Sequence, residues 1–162
     1  GMKNVAKIAM IGLVLGACEK VRDFPVEPFV RLDAYEIVAA NVDPEVPNEH
    51  VKITFYFTDG DGNIGLDADQ LDPPHCETCD HYYNLFVNVN SKIDGVFEKT
   101  YPYNSRIKNI TPNAQNPVLE GTMIYKIDIA NRANDTVMID FMLEDRDLNA
   151  SNIEMTPELY IK

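Results

Sequence analysis

Apolar and polar residues alternate with a period of two along most of the chain after residue 50. The alternation is clearest in four segments, where every second side chain is apolar. This pattern places apolar side chains on one face of a β-strand and polar ones on the other, and it predicts half-buried strands. The four segments are 51–58, 83–90, 122–129 and 137–144.

Weaker alternation predicts three further strands, at 29–38, 96–103 and 153–161. Asp94-Gly95 lies between two apolar runs and is a strong signal for a two-residue hairpin turn. After Pro28 no stretch of helical length carries an apolar stripe. The prediction is therefore an all-β fold, an immunoglobulin-like or fibronectin-like antiparallel β-sandwich of about seven strands. A small barrel is the main alternative, and the absence of Trp argues against an antibody-type domain.

The first part of the chain has the pattern of an export signal. Lys3 and Lys7 precede an apolar run at 8–15 that is too short to span a bilayer stably, and small residues follow it. Leu15-Gly16-Ala17-Cys18 resembles a bacterial lipobox, in which the cysteine is acylated and becomes the mature N-terminus. The alternatives are an ordinary signal with a chance cysteine, or a buried core helix.

These signals predict three parts of the chain. Residues 1–17 are a lipoprotein signal peptide, residues 18–28 are the lipidated Cys18 and a tether, and residues 29–162 are a β-sandwich domain. The tether is expected because this stretch is charged, contains prolines and lacks any period. The predicted location is the cell envelope, as an outer-membrane lipoprotein that faces either the periplasm or the exterior.

The charge of the chain restricts its partners. It carries 26 acidic and 14 basic side chains, a formal net charge of −12, and the lysines are scattered. An acidic chain without a basic stripe argues against nucleic acid and against electrostatic binding to anionic lipid. Membrane attachment is therefore expected through acyl chains on Cys18.

Two predicted strands end in the same acidic pattern. At 51–63 and at 137–149, an apolar alternating run leads into Asp-x-Asp-x-Asn. If these are the second and sixth strands of an antiparallel sandwich, they run in the same direction, and their outgoing loops emerge at the same end. The two acidic loops are therefore expected to lie close together.

Oxygen-bearing side chains at alternate positions, among glycines that allow tight turns, suit a calcium ion. The loop after Asp59 resembles the first half of an EF-hand loop. However, Ile64 stands where that loop needs glycine, Gln70 stands where it needs glutamate, and flanking helices are absent, so the prediction is a calcium site of sandwich-loop type. The alternative is that both loops are only turns. The candidate ligands are Asp59, Asp61, Asn63, Asp67, Asp145, Asp147 and Asn149.

The segment 75–81 concentrates cysteine and histidine within a long connection without a predicted strand. In an exported protein, Cys76 and Cys79 are expected to form a disulfide. One alternative is a tetrahedral metal site formed by both cysteines with His75 and His81. Another is a pair of free thiols or a redox motif. Long connections of this kind tend to be functional or held in place.

The chain as a whole resembles a group of Gram-negative bacterial lipoproteins with immunoglobulin-like sandwich domains. The resemblance covers most of the mature chain and implies a location and a fold without an established activity. The segments that carry it are 15–18, 55–65, 83–87 with Asp94-Gly95, and 145–152 with Thr156-Pro157-Glu158.

The functional expectation is a membrane-anchored envelope lipoprotein whose sandwich is a binding or assembly module ordered by calcium. Its expected partner is a protein or a glycan of the envelope. No serine or cysteine nucleophile with a matching base and no phosphate-binding glycine loop is evident, so the chain is not expected to be an enzyme. The alternatives are a purely structural lipoprotein without a metal site, and a glycan-processing enzyme.

Overall fold

The computed structural model describes residues 23–113 and 118–162, and over these ranges the chain forms two antiparallel sheets without a helix. The expected all-β sandwich is confirmed, with eight strands instead of about seven. The signal peptide at 1–17, the lipidation site Cys18 and the tether as far as residue 22 lie outside the described residues. Within the described ranges, no helix is long and apolar enough to cross a membrane.

The two sheets divide the strands as follows. The first sheet has the order β1-β2-β5, and the second has the order β4-β3-β6, with β7 and β8 both pairing with β6. The chain crosses between the sheets after β2, β4 and β5. The strands are β1 Phe29–Val38, β2 His50–Asp59, β3 Leu85–Ile93, β4 Val96–Pro102, β5 Leu119–Asp128, β6 Thr136–Leu143, β7 Glu154–Met155 and β8 Leu159–Tyr160.

The core lies between the sheets and is built from the inward positions of the alternating segments. In β2, β3 and β6, buried and partly exposed residues alternate along the strand. The rings of Phe55 and Phe141 meet at the centre with a centroid separation of 5.0 Å. Burial of these side chains is the main favourable contribution to folding. Core side chains without exposure to solvent include Val51, Ile53, Phe55, Val87, Val89, Ile127, Val137, Ile139 and Phe141.

The predicted strand at 153–161 is instead two short strands. Between β7 and β8, the Thr156 N–H donates to the carbonyl of Ile139, and the Thr156 hydroxyl accepts from the Ile139 N–H. The Thr156 hydroxyl therefore takes the place of one backbone acceptor in the hydrogen-bond pattern between the strands. Pro157 follows and cannot donate a hydrogen bond to β6. The alternation predicted a strand, but this local interruption divides it.

The predicted hairpin is confirmed between β3 and β4. Ile93 pairs with Val96, and Asp94 and Gly95 both have positive φ angles, 50° and 83°. Two successive residues with positive φ are typical of a type I′ turn, which matches the twist of the flanking strands.

One end of the sandwich collects the loops after β2 and β6. The backbone N–H of Arg146, after β6, donates to the carbonyl of Asn63, after β2, at 3.2 Å. The chain also enters the domain at this end, where the N–H of Gly60 donates to the carbonyl of Pro25 at 2.8 Å. These two loops and the entering chain together form the region that we call the loop end.

We expect Phe141→Ala to lower the free energy of unfolding by about 3–5 kcal/mol, because it removes a fully buried ring and leaves a cavity. Chemical denaturation of residues 23–162 measures the effect. Ile124→Ala is the control, since 63% of Ile124 is exposed and little should change. Equal losses in both variants would contradict the described core.

Candidate metal centre

Three carboxylates meet at the loop end. Asp59, Asp61 and Asp145 can each place one carboxylate oxygen within 4.8 Å of the other two. Asp59 is the last residue of β2, and Asp61 is two residues further on. Asp145 follows β6 in the opposite sheet. The structure therefore brings the two acidic loops together, as the strand directions predicted.

The alternation of each strand explains why two of these acids face inward. In β2, Phe55 and Phe57 point into the core, and Asp59 is the next position in that series. In β6, Leu143 is the last inward apolar residue, and Asp145 follows it by two. Because successive side chains alternate between faces, each strand carries its first acid towards the interior. Asp59 is 0% exposed and Asp145 is 2% exposed.

Asp59 is buried without adequate hydrogen-bond partners. Neither of its carboxylate oxygens has a well-formed hydrogen bond. The pKa of Asp59 is raised to about 7, chiefly by burial and further by the charges of Asp61 and Asp145, while the backbone of Asn63 offsets this only in part. An ionised carboxylate in such surroundings is unfavourable unless a cation or a proton neutralises it.

Asp145 is also buried, but its own loop satisfies it. Its two carboxylate oxygens accept hydrogen bonds from the backbone N–H and from the side-chain amide of Asn149, both at 2.8 Å. Burial raises the pKa of Asp145, although these bonds from Asn149 lower it in part. The loop closes tightly enough to place Leu148 at φ 69°, a conformation that is uncommon for a leucine. Asn149 therefore positions Asp145 by donating to it.

Asn63 links the two acidic loops. Its side-chain amide donates to Asp61 at 3.3 Å and to Asp147 at 3.0 Å. Its side-chain oxygen is buried and has no hydrogen-bond partner. Arg146 does not neutralise these acids, because no ion pair of its guanidinium is found among the described residues. Among the residues that the structure describes, the loop end thus holds a further buried oxygen atom without a hydrogen-bond partner.

The structure places the remaining predicted ligand elsewhere. Asp67 is exposed, and its carboxylate accepts a hydrogen bond from the side-chain amide of Asn109 at 3.0 Å. It does not belong to the group formed by Asp59, Asp61 and Asp145. The predicted set of seven therefore divides into three convergent acids, two linked residues (Asn63 and Asp147), the supporting Asn149, and the separate Asp67.

The cysteines of the long connection are joined. A disulfide links Cys76 and Cys79, whose Cα atoms are 5.0 Å apart. This bond leaves no thiolate for the alternative metal site, and the histidines have other partners. His75 lies against the backbone carbonyls of His81 and Arg146. The Nδ1 atom of His81 lies 2.8 Å from a carboxylate oxygen of Glu144.

Sequence reasoning missed two residues that organise this end. The Arg106 guanidinium donates to the backbone carbonyls of Gln70 at 2.7 Å and Tyr82 at 2.8 Å, and so ties the middle of the long connection to its last part, before β3. A single arginine in a loop carries no sequence signal for that role. Glu144 is buried beside Asp145, and its position directly before the acidic motif was the available signal.

The arrangement is chemically suited to a hard divalent cation. Calcium binds six to eight oxygens at about 2.3–2.6 Å, so two oxygens on one ion lie at most about 5 Å apart. The separations among Asp59, Asp61 and Asp145 are within that limit. A cation at this position would also provide the unpartnered oxygens of Asp59 with the interaction that the protein does not supply.

No known protein family, curated protein or solved structure matches this chain. The chemistry of the site itself is therefore the basis on which we infer function.

We expect the stability of the calcium-free domain to fall as pH rises, relative to an Asp59→Asn variant. The pKa of Asp59 is raised from 3.8 to about 7 on folding. The folded state therefore holds a proton that the unfolded chain releases at lower pH, and this contribution is lost between about pH 4 and pH 7. The expected loss is on the order of 3 kcal/mol.

Urea denaturation of both proteins in a chelating buffer, at several pH values, measures this difference. The Asp59→Asn variant removes the titrating group and keeps the shape of the side chain, so carboxylates other than the neighbouring Asp61 and Asp145 contribute equally to both curves. If the free energies of unfolding of the two proteins change in parallel with pH, the pKa of Asp59 is not raised on folding.

Proposed function

We propose that this protein is a calcium-ordered binding or assembly module of the bacterial cell envelope. The observation that carries the proposal is the fully buried Asp59, whose two carboxylate oxygens lack partners beside Asp61 and Asp145. The alternative that both loops are only turns does not explain why Asp59 lacks partners, because carboxylates in turns normally accept local backbone hydrogen bonds. Asp145 does accept such bonds, and the contrast with Asp59 favours a cation.

The spacing of the oxygens favours calcium over magnesium. Magnesium requires near-ideal octahedral geometry at about 2.0–2.1 Å, which limits two of its ligands to a separation of about 4.2 Å. The oxygens of Asp59, Asp61 and Asp145 lie within 4.8 Å of one another, a range that the ligand distances of calcium cover fully and those of magnesium only in part. Calcium tolerates this wider and less regular arrangement, and waters or a partner can provide its remaining ligands.

Calcium would order the loop end by joining the two sheets. Asp59 and Asp61 belong to the loop after β2, whereas Asp145 belongs to the loop after β6. Without a cation, their carboxylates repel one another across the gap between the sheets. A bound ion would replace this repulsion with attraction of each carboxylate to the ion. It would thereby fix the exposed surface formed by Asp61 and Asp147. We propose that a protein or glycan partner recognises this surface.

Binding agrees better than catalysis with the burial of the acids. A glycosidase needs two carboxyl groups on either side of a substrate bond, about 5–5.5 Å or 6.5–9.5 Å apart. Here Asp59 is 0% exposed and Asp145 is 2% exposed, so neither carboxyl group is open to a sugar that approaches from solvent. We therefore propose that the domain is not an enzyme.

We propose that acyl chains on Cys18 hold the domain at the outer membrane. The apolar run at 8–15 and the small residues before Cys18 support this, together with the proline-containing tether that follows. The formal net charge of −12 makes electrostatic attraction to anionic lipid an unsuitable means of attachment.

We expect calcium to raise the midpoint of thermal unfolding of residues 19–162, compared with the same protein in chelator. A ligand at about 100 times its Kd stabilises the native state by roughly 2.7 kcal/mol. Magnesium at the same concentration should give a smaller rise. Asp59→Asn and Asp145→Asn should each abolish the response, since each removes a buried charged ligand.

Two substitutions serve as controls for the calcium experiment. Asp94→Asn removes the same charge from the hairpin turn, where asparagine tolerates the positive φ. Asp67→Asn removes it from the long connection, outside the convergent group. Both variants should respond to calcium like the original protein. If the original protein melts identically with calcium and with chelator, the proposed metal site is wrong.

We expect Cys18→Ser to release the full-length protein from membranes when it is expressed in a Gram-negative host. The original protein should partition into the detergent phase of a cloud-point extraction, because acyl chains provide the attachment. The variant should partition into the aqueous phase. Detergent-phase partition of both proteins would show that Cys18 is not the anchor.

A further inference from the structure

His75 connects the disulfide segment to the acidic loop after β6. It is buried, with 5% of its surface exposed. Its Nδ1 atom lies 3.1 Å from the carbonyl of His81, and its Nε2 atom lies 3.3 Å from the carbonyl of Arg146. The ring therefore lies between its own segment and the residue directly after Asp145, and in its neutral form it donates a hydrogen bond to one of these two carbonyls.

His81 makes a second connection on the other side of Asp145. Its Nδ1 atom lies 2.8 Å from the Glu144 carboxylate, which is almost fully buried. The Glu144 N–H donates to the carbonyl of Asn84 at 2.8 Å. The residues before and after Asp145 are thus both held by histidines that lie on either side of one disulfide.

The disulfide fixes the spacing of these two histidines. It closes the turn between Cys76 and Cys79, which the hydrogen bond from the Cys79 N–H to the Cys76 carbonyl also supports. Arg106 contacts the carbonyls of His75 and Tyr82, at the two ends of the turn. Cutting the disulfide removes the covalent closure and leaves weaker contacts to maintain the spacing, including the one between His75 Nδ1 and the His81 carbonyl.

We propose that the disulfide-closed turn is a positioning element of the metal centre, and that its reduction weakens calcium binding. The inference rests on the proposed calcium site. His75 and His81 hold the backbone and side chain on either side of Asp145, and so fix the place of its carboxylate opposite Asp59. Groups that orient metal ligands in this way commonly change metal affinity by about 10–100-fold when they are lost.

The redox step is an ordinary thiol–disulfide exchange with a dithiol reductant. The Cys76–Cys79 bond breaks, each sulfur gains one electron and one proton, and the dithiol is oxidised to its own disulfide. The reductant acts through a mixed disulfide with one of the two cysteines, both of which are partly exposed.

Isothermal calorimetry of residues 19–162 with calcium, at one pH, tests the inference. Oxidised protein is compared with protein reduced by dithiothreitol, and with the Cys76→Ser/Cys79→Ser double variant with and without reductant. We expect about tenfold weaker binding in the reduced protein and in the double variant. The double variant should not respond to the reductant.

Two single substitutions keep the disulfide intact and separate positioning from loss of fold. His81→Gln removes the contact with Glu144 and should weaken calcium binding several-fold. Lys92→Gln removes an exposed ion pair with Glu158, away from the loop end, and should leave affinity unchanged. Far-UV circular dichroism of every protein establishes that it is folded under the conditions of titration.

The outcomes distinguish the two proposals. If oxidised protein binds calcium and the reduced and double-variant proteins bind it equally well, the positioning role is wrong and the calcium site stands. An unchanged Kd for His81→Gln would likewise overturn the positioning role. If oxidised protein binds no calcium, the proposed function fails, and this inference fails with it.

Discussion

The loop end is organised around one unfavourable requirement, which is the burial of the Asp59 carboxylate next to two other acids. The core alternation of β2 places this side chain inside, and none of the described residues donates a well-formed hydrogen bond to it. The neighbouring groups limit the resulting repulsion without removing it, because Asn149 donates to Asp145 and Asn63 donates to Asp61. The core, which excludes water, therefore borders three carboxylates at the loop end, and a bound cation would neutralise their charge.

The fold was predictable because its signals are local and repeated. The period of two identifies six of the eight strands, and Asp94-Gly95 specifies its hairpin without help from distant residues. The same period, extended by two residues past Phe57 and Leu143, accounts for the inward direction of Asp59 and Asp145. The convergence of the acidic loops followed from strand direction, so the centre of the candidate site was also predictable.

The parts that sequence did not predict depend on contacts between distant segments. Asp67 has the spacing of a ligand, but its loop turns towards Asn109 and Arg106 and away from the other acids. Thr156 divides a predicted strand because its hydroxyl meets the backbone of Ile139. Such contacts have no periodic pattern and no characteristic neighbours, because they arise only once the sheets have packed.

The contact between Gly60 and the entering chain has a mechanical consequence. Gly60 lies between Asp59 and Asp61, and a Cβ atom there would be 2.1 Å from the Phe24 carbonyl oxygen, so only glycine allows this close passage. In a protein anchored through Cys18, tension on the tether would reach the acidic loop before any other part of the domain. The anchored segment and the acidic loop would then share one end of the sandwich, and the Asp94-Gly95 hairpin would lie at the other.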